Sequence, residues 1–301
     1  MTPAFDEDSA RQVLVKACHE VGFTADNARL LRLGQNAIFH LESEGVVARI
    51  ARAGSDPKRV RSEVDVAEWL EKVDFPVAKV AQLPSGAGQP CAIDSHPVTF
   101  WEYFKGRNGN PGDIGSLAQL LSRLHSLNAP STFDLPHENM LDLTKERVAR
   151  APIPDDDKKF LTNLCDDLER EVQALNYALP AGPVHGDAHV QNLLVSDAGH
   201  VIIIDLERFA WGQPEWDLAM TATEYATAGW WTPQQYSTYV KNYGFDVTDW
   251  SGFPVARAVH ELKMTTWIMQ NVHTSAKIAN EYGLRMGTLR HRDNIGMWTA
   301  F

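Results

Sequence analysis

Two polar clusters joined by an apolar run constrain this chain more than anything else in it. The first is His185-Gly186-Asp187-Ala188-His189-Val190-Gln191-Asn192, and the second is Asp205 at the end of Val201-Ile202-Ile203-Ile204. The apolar run reads as a buried strand that delivers Asp205 at its end, and the glycine beside Asp187 reads as a loop. A carboxylate, a carboxamide and a second carboxylate thus come from a loop and a strand end. Oxygen donors of this kind suit a hard divalent cation such as magnesium, together with polyphosphate. A carboxylate not spent on the metal can accept the proton of an attacking hydroxyl.

Protein kinases carry H-R-D-x-x-x-x-N followed by a D-F-G aspartate; this chain has H-x-D-x-x-x-x-N followed by Asp205-Leu206-Glu207. Together with Ile204-Asp205-x-Glu207 and Pro214-Glu215-Trp216-Asp217-Leu218-Ala219, the stretch resembles the aminoglycoside phosphotransferase family, kinase-like enzymes that phosphorylate hydroxyls of small molecules. The resemblance implies Asp187 as catalytic base and Asn192 and Asp205 as Mg2+ ligands. It also implies ATP or GTP as co-substrate and a small hydroxylated molecule as acceptor. Between Leu206 and Pro214 there is no serine, threonine or tyrosine, so no activation loop with a phosphorylation site is expected.

At 301 residues the chain holds one large domain or two of ordinary size. Hydrophobic residues at 44% and charged residues at 22% describe an ordinary globular protein. A formal charge of −11 argues against a nucleic-acid partner, and soluble proteins carry as much for solubility alone. No apolar run approaches the roughly 18 residues of a membrane helix, and the acidic start lacks the basic region of a secretory leader. No membrane partner is therefore expected. Cys18, Cys91 and Cys165 lie far apart and read as reduced thiols in a cytoplasmic protein. Monomer and homodimer both stay open.

In chain order, a helix is expected over 10–21, capped by Asp8 or Ser9 and stopped by Gly22, with Ala10, Val13, Leu14, Ala17, Cys18 and Val21 on one face. Three short strands follow at 31–33, 37–41 and 46–51. Gly34-Gln35-Asn36 between the first two reads equally as a plain hairpin turn or as the loop over the nucleotide phosphates in a kinase-like lobe. Arg49 stands at the lysine of the kinase V-A-I-K pattern, with Arg52 as competitor. A helix over about 57–72 offers Glu63, with Glu68 in reserve, as that cation's partner. The apolar strand 98–104 precedes the turn-rich stretch 106–112, which suits a linker. Adenine is expected against Trp101, Glu102, Tyr103 and Phe104, bonded by their backbone.

Beyond the linker, helices are expected from Ile114 to Leu127, over 155–179, from Trp216, over 233–243, and over 254–282. The last is polar around much of its circumference, which suits either solvent or a substrate cleft. Glu224, Glu261 and Trp267 are the candidate acceptor wall. The architecture expected is α+β and two-lobed, protein-kinase-like. Residues 1–105 form a small antiparallel-sheet lobe that binds nucleotide, and 106–301 form a larger, mainly helical lobe. An antibiotic-like, glycosidic or nucleoside-like acceptor is expected. A metabolite kinase of the choline, homoserine or sugar type, or a nucleotide-binding pseudokinase, is the alternative.

Overall fold

A computed structural model describes residues 5–300, which divide into two compact units. The first comprises the chain up to Asn108 together with Leu193–Glu207; the second comprises Gly109–Asn192 and the chain from Arg208 onward. As expected, an antiparallel sheet comes first and a mainly helical region follows, the α+β class.

In the first unit, helix α1 (Glu7–Val21) begins at Glu7 rather than Ala10 because Asp6 is its cap. Ser9 does not cap; it completes a capping box, its amide donating to Asp6 Oδ1 at 2.9 Å while its Oγ accepts from the Asp6 amide at 3.0 Å. Strands β1 (Arg29–Leu33), β2 (Asn36–Leu41) and β3 (Val46–Ala51) follow, then helix α2 (Pro57–Lys72) and strands β4 (Cys91–Ile93) and β5 (His96–Glu102). They form one antiparallel sheet in the order β1-β2-β3-β5-β4. Phe39, Leu41, Ala48, Ile50 and Phe100 share a core with the buried face of α1. Period two along β3 buries Val46, Ala48 and Ile50 and turns Arg49 to the opposite face, where it meets Glu63 of α2.

A single cut near 105 overlooks what strand β6 (Arg107–Asn108) does. It pairs with Leu193–Val195, which pairs in turn with Val201–Ile203. Gly106 sits so close to this sheet that a Cβ there would lie 2.5 Å from the Val195 carbonyl oxygen. The stretch expected as linker therefore anchors the strands on which Asp205 is carried.

The second unit contains α3 (Ile114–His125), α4 (Asp142–Arg150), α5 (Asp155–Gln173), α6 (Glu215–Thr223), α7 (Pro233–Tyr243), α8 (Phe253–Met269) and α9 (Ala276–His291). Helix α3 packs on α7, α6 on α8, and α8 on α9. The helix expected over 155–179 stops at Gln173, and the amides of Ala178 and Leu179 instead donate to Glu215 Oε1 at 2.6 and 2.8 Å. The helix expected over 254–282 is two helices, because Ser275 caps a new one by accepting from the Ile278 amide at 3.2 Å. Helix α4 was not expected at all: it buries only Thr144 and Val148, too few residues for an apolar stripe. Among the described residues no helix is long and apolar enough to cross a membrane.

Candidate active site

Asp187 lies just past the strand Gly182–Val184, which pairs with Ala210–Gly212. Gly186 takes a left-handed turn (φ 77°), and a Cβ at that position would meet the Arg208 carbonyl oxygen at 2.4 Å, so only glycine fits. The turn is braced by the wholly buried carboxylate of Asp217 at the start of α6. Its Oδ2 accepts from the His185 amide at 2.7 Å and its Oδ1 from the Gly186 amide at 2.8 Å. His125, the last residue of α3, bonds the same Oδ2 through Nε2 at 3.0 Å, and its Nδ1 meets the Tyr243 hydroxyl at 2.9 Å. Burial alone would push the Asp217 carboxyl up; the His125 bond, the charges of His125 and His185 and the backbone donor outweigh it and hold Asp217 below the usual range.

Asn192 closes the loop from the other end, its Nδ2 donating to the Asp187 carbonyl oxygen at 2.9 Å. That bond fixes the amide and leaves Oδ1 as the acceptor, the hard oxygen a magnesium ligand needs. The Asp187 carboxylate keeps 41% side-chain exposure, with His189 Nε2 at 3.8 Å. A braced backbone with a solvent-facing carboxylate is what a general base requires.

The nucleotide residues expected from sequence lie in the first unit. Arg49 forms an ion pair with Glu63, which is 4% exposed, and a longer one with Glu207 at 3.5 Å. The Asn36 carboxamide oxygen, turned to the guanidinium, accepts from Arg49 Nε and Nη2 at 3.0 and 3.0 Å. Burial opposes the Arg49 charge, but Glu63, Asp205 and Glu207 together raise its pKa above the ordinary value. Arg52, the competitor, spends itself on the Gly34 carbonyl at 2.9 Å. Gln35 is exposed in the turn beside it. Asp205 is exposed and left-handed (φ 65°), a strained backbone for a residue with a Cβ.

The expected adenine contacts need correction in one respect. The Glu102 amide already donates to the Lys79 carbonyl and the Tyr103 amide to the Gly45 carbonyl, both at 2.9 Å. Neither is a free donor, and the Tyr103 ring is stacked on His40 at 3.7 Å. Phe104 is half-buried beyond them.

The acceptor wall needs a larger correction. Glu261 is 1% exposed, chelates Arg292 at 2.5 and 2.9 Å and accepts from the Thr227 hydroxyl at 2.5 Å. Its helix face is neither solvent nor cleft but a buried polar network, in which His260 also bonds the Trp216 carbonyl at 2.8 Å. Trp267 is 44% exposed on another face of α8. Glu224, by contrast, lies within electrostatic range of Asp187. It opens a π-helical turn, Glu224–Ala228, and its Oε2 accepts from Trp231 Nε1 at 2.8 Å. Burial pushes its carboxyl up to about 7, the Trp231 bond opposing and the Asp187 charge adding.

Further charged residues lie near Asp187, namely Arg147 of α4, Arg208 and Lys263 of α8, with Glu138 near Lys263 and Arg208. No motif marks them, and each alone looks like a solvated surface charge. Among the described residues no group of three or more His, Cys, Asp or Glu is placed to hold a metal ion.

No curated protein matches the chain in sequence. Among solved structures, the amicoumacin kinase hAmiN in complex with AMP-PNP, Ca2+ and Ami superposes with a TM-score of 0.77 at 17% identity, over 98% of each chain. A microcompartment-associated aminopropanol kinase gives 0.70 at 18%, covering 94% of this chain and 98% of its own. A choline/ethanolamine kinase family protein from Mesorhizobium loti gives 0.64 at 16%, covering 94% and 93%. At such identities the likeness carries the fold alone. The sequence model of the phosphotransferase enzyme family (APH) matches residues 28–255, which includes every element of the braced loop around Asp187; the chain belongs to that family.

Proposed function

We propose that the protein is an ATP-dependent kinase that transfers the γ-phosphoryl group to a hydroxyl of a small molecule. The observation that carries this reading is the Asp187 loop. Three donors on Asp217 and the Asn192–Asp187 bond hold its backbone, while its carboxylate stays open to a substrate. A pseudokinase has no need of a base so supported, which disfavours that alternative. The neighbours named above act on an antibiotic and on amino alcohols, so antibiotic and metabolite kinases are both represented among similar folds.

In this reading Asp187 accepts the proton of the acceptor hydroxyl and aims its oxygen for in-line attack. Arg49, held by Glu63 and Asn36, binds nucleotide phosphate. Asn192 Oδ1 and the Asp205 carboxylate are the hard oxygen donors that would hold Mg2+, which would supply charge neutralisation on the phosphates. Glu224 contributes to the acceptor site, while Glu261 serves structure.

The test is ADP release with ATP, magnesium and a panel of hydroxylated compounds. Asp187→Asn is expected to lower turnover at least about a hundredfold with ATP affinity nearly unchanged. Turnover within a few-fold of the parent would remove Asp187 from the mechanism.

A further inference from the structure

Two of the three cations near Asp187 have no carboxylate ion-pair partner among the described residues. Arg208 lies against the loop, its backbone oxygen and Cβ within 2.4 and 3.0 Å of where a Gly186 side chain would begin. It pairs with Asp142 Oδ1 at 3.3 Å, at the start of the helix that carries Arg147. Lys263 reaches in from α8, and its one hydrogen-bond acceptor among the described residues is the Met140 sulfur at 3.6 Å. The half-buried Arg147 guanidinium makes no hydrogen bond and no ion pair among the described residues. Arg147 and Lys263 both feel the charges of Arg208 and Asp187, so both lie within electrostatic range of the candidate base.

Most acids facing these cations are committed elsewhere, Glu224 to Trp231 Nε1 at 2.8 Å among them; Glu138 alone is not, and it faces Lys263. Asp187 is reserved for the acceptor proton. Asp142 is taken by Arg208, and Glu146 by Arg150 at 2.8 Å. Asp217 holds His125 and the loop amides. Glu138 has a buried Oε1 without a partner, and its carboxyl is pushed up to about 7 by burial. Burial and then Arg208 bring Lys263 down to about 8 and hold Arg147 below its ordinary value. Crowding like charges out of water is costly unless something anionic arrives to pair with them.

We infer that the acceptor carries an anionic group, a carboxylate or a phosphate, near the hydroxyl to be phosphorylated, and that Arg147, with Arg208 and Lys263, binds it. This rests on the kinase reading above and names its substrate class. Arg147 is the specific element: its fork of donors is unspent and matches a two-oxygen anion.

The experiment measures ADP release from ATP with acceptors matched except for charge: glycerate, glycerol 3-phosphate and glycerol; gluconate, glucose 6-phosphate and glucose; and ethanolamine and choline as cations. The anionic members are expected to show a KM at least about tenfold below the neutral ones, with the carboxylate and phosphate arms telling which anion is preferred. Arg147→Met should abolish that preference, leave the KM for ATP unchanged and keep or raise Tm, since an unpaired cation beside a like charge is gone. Arg147→Lys should restore part of the preference. ADP release with neutral or cationic members in preference overturns the inference and leaves the kinase reading standing. An anion preference that survives in both Arg147→Met and Lys263→Met overturns the assignment of these residues. A fall in Tm for Arg147→Met with the preference kept shows that its role is structural. No ADP release with any member refutes the kinase reading and the inference with it.

Discussion

Asp217→Asn tests how the base is held. In the parent, Oδ1 accepts from the Gly186 amide at 2.8 Å, and Oδ2 accepts from the His185 amide at 2.7 Å and pairs with His125 Nε2 at 3.0 Å. Asparagine keeps one acceptor oxygen and places an NH2 group where the other was. If its oxygen stays between His185 and His125, the NH2 faces the Gly186 N–H, donor against donor. One charge-assisted bond is lost and one buried donor is left unpaired, partly offset by no longer burying a charge, for a net of about 3 kcal/mol. Urea unfolding at pH 7 reads this directly. Turnover should fall at least about tenfold, because the loop that carries Asp187 loosens, while nucleotide affinity measured by calorimetry holds. The pH dependence has a definite sign. Asp217 has a folded pKa below its unfolded value, so its contribution is complete above about pH 4 and disappears as pH falls through the depressed folded value. The stability gap between parent and variant should therefore be flat from pH 5 to 8 and close only in acid. A loss under about 0.5 kcal/mol, within the range of an ordinary surface substitution, would refute the bracing role, as would a gap that widens on acidification.

Other perturbations separate the remaining roles. Arg49→Ala should raise the KM for ATP and lower turnover, whereas Arg52→Ala, which loses the Gly34 carbonyl bond and the Phe5 ring contact, should do neither; Arg49→Lys should recover part of the activity. Equal effects of the two alanine variants in steady-state kinetics would mean that the phosphate cation is misassigned. Asp205→Ala should remove the magnesium-dependent part of the thermal shift produced by ATP, and an unchanged shift would move the metal elsewhere. Glu261→Ala strands Arg292 and the Thr227 hydroxyl, so a thermal melt should show a loss of about 2–3 kcal/mol, reduced by the partial exposure of Arg292, with the acceptor KM untouched. A changed KM with unchanged stability would return Glu261 to the acceptor wall.

The sequence determined by itself what depends on neighbours along the chain. Asp187 and Asn192 are five positions apart beside a glycine, enough to read a loop there, although the bond by which the Asn192 carboxamide closes on the Asp187 carbonyl at 2.9 Å came only from the structure. Alternation along β3 was enough to set Arg49 apart from Ala48 and Ile50, and the helical stripe of α1 was legible for the same reason. Only the tertiary structure decided which polar residues meet. Glu261 looked like a substrate residue until Arg292 and Thr227 came to it from other elements, and the helix over 254–282 looked continuous until Ser275 capped a second one. Arg147, Arg208 and Lys263 carry no sequence signal, because each is a lone cation in its own segment and the field they make exists only where those segments fold beside Asp187. Charge acts across space with no period along the chain, so a one-dimensional pattern contains the groups but not the distances that give them a joint function.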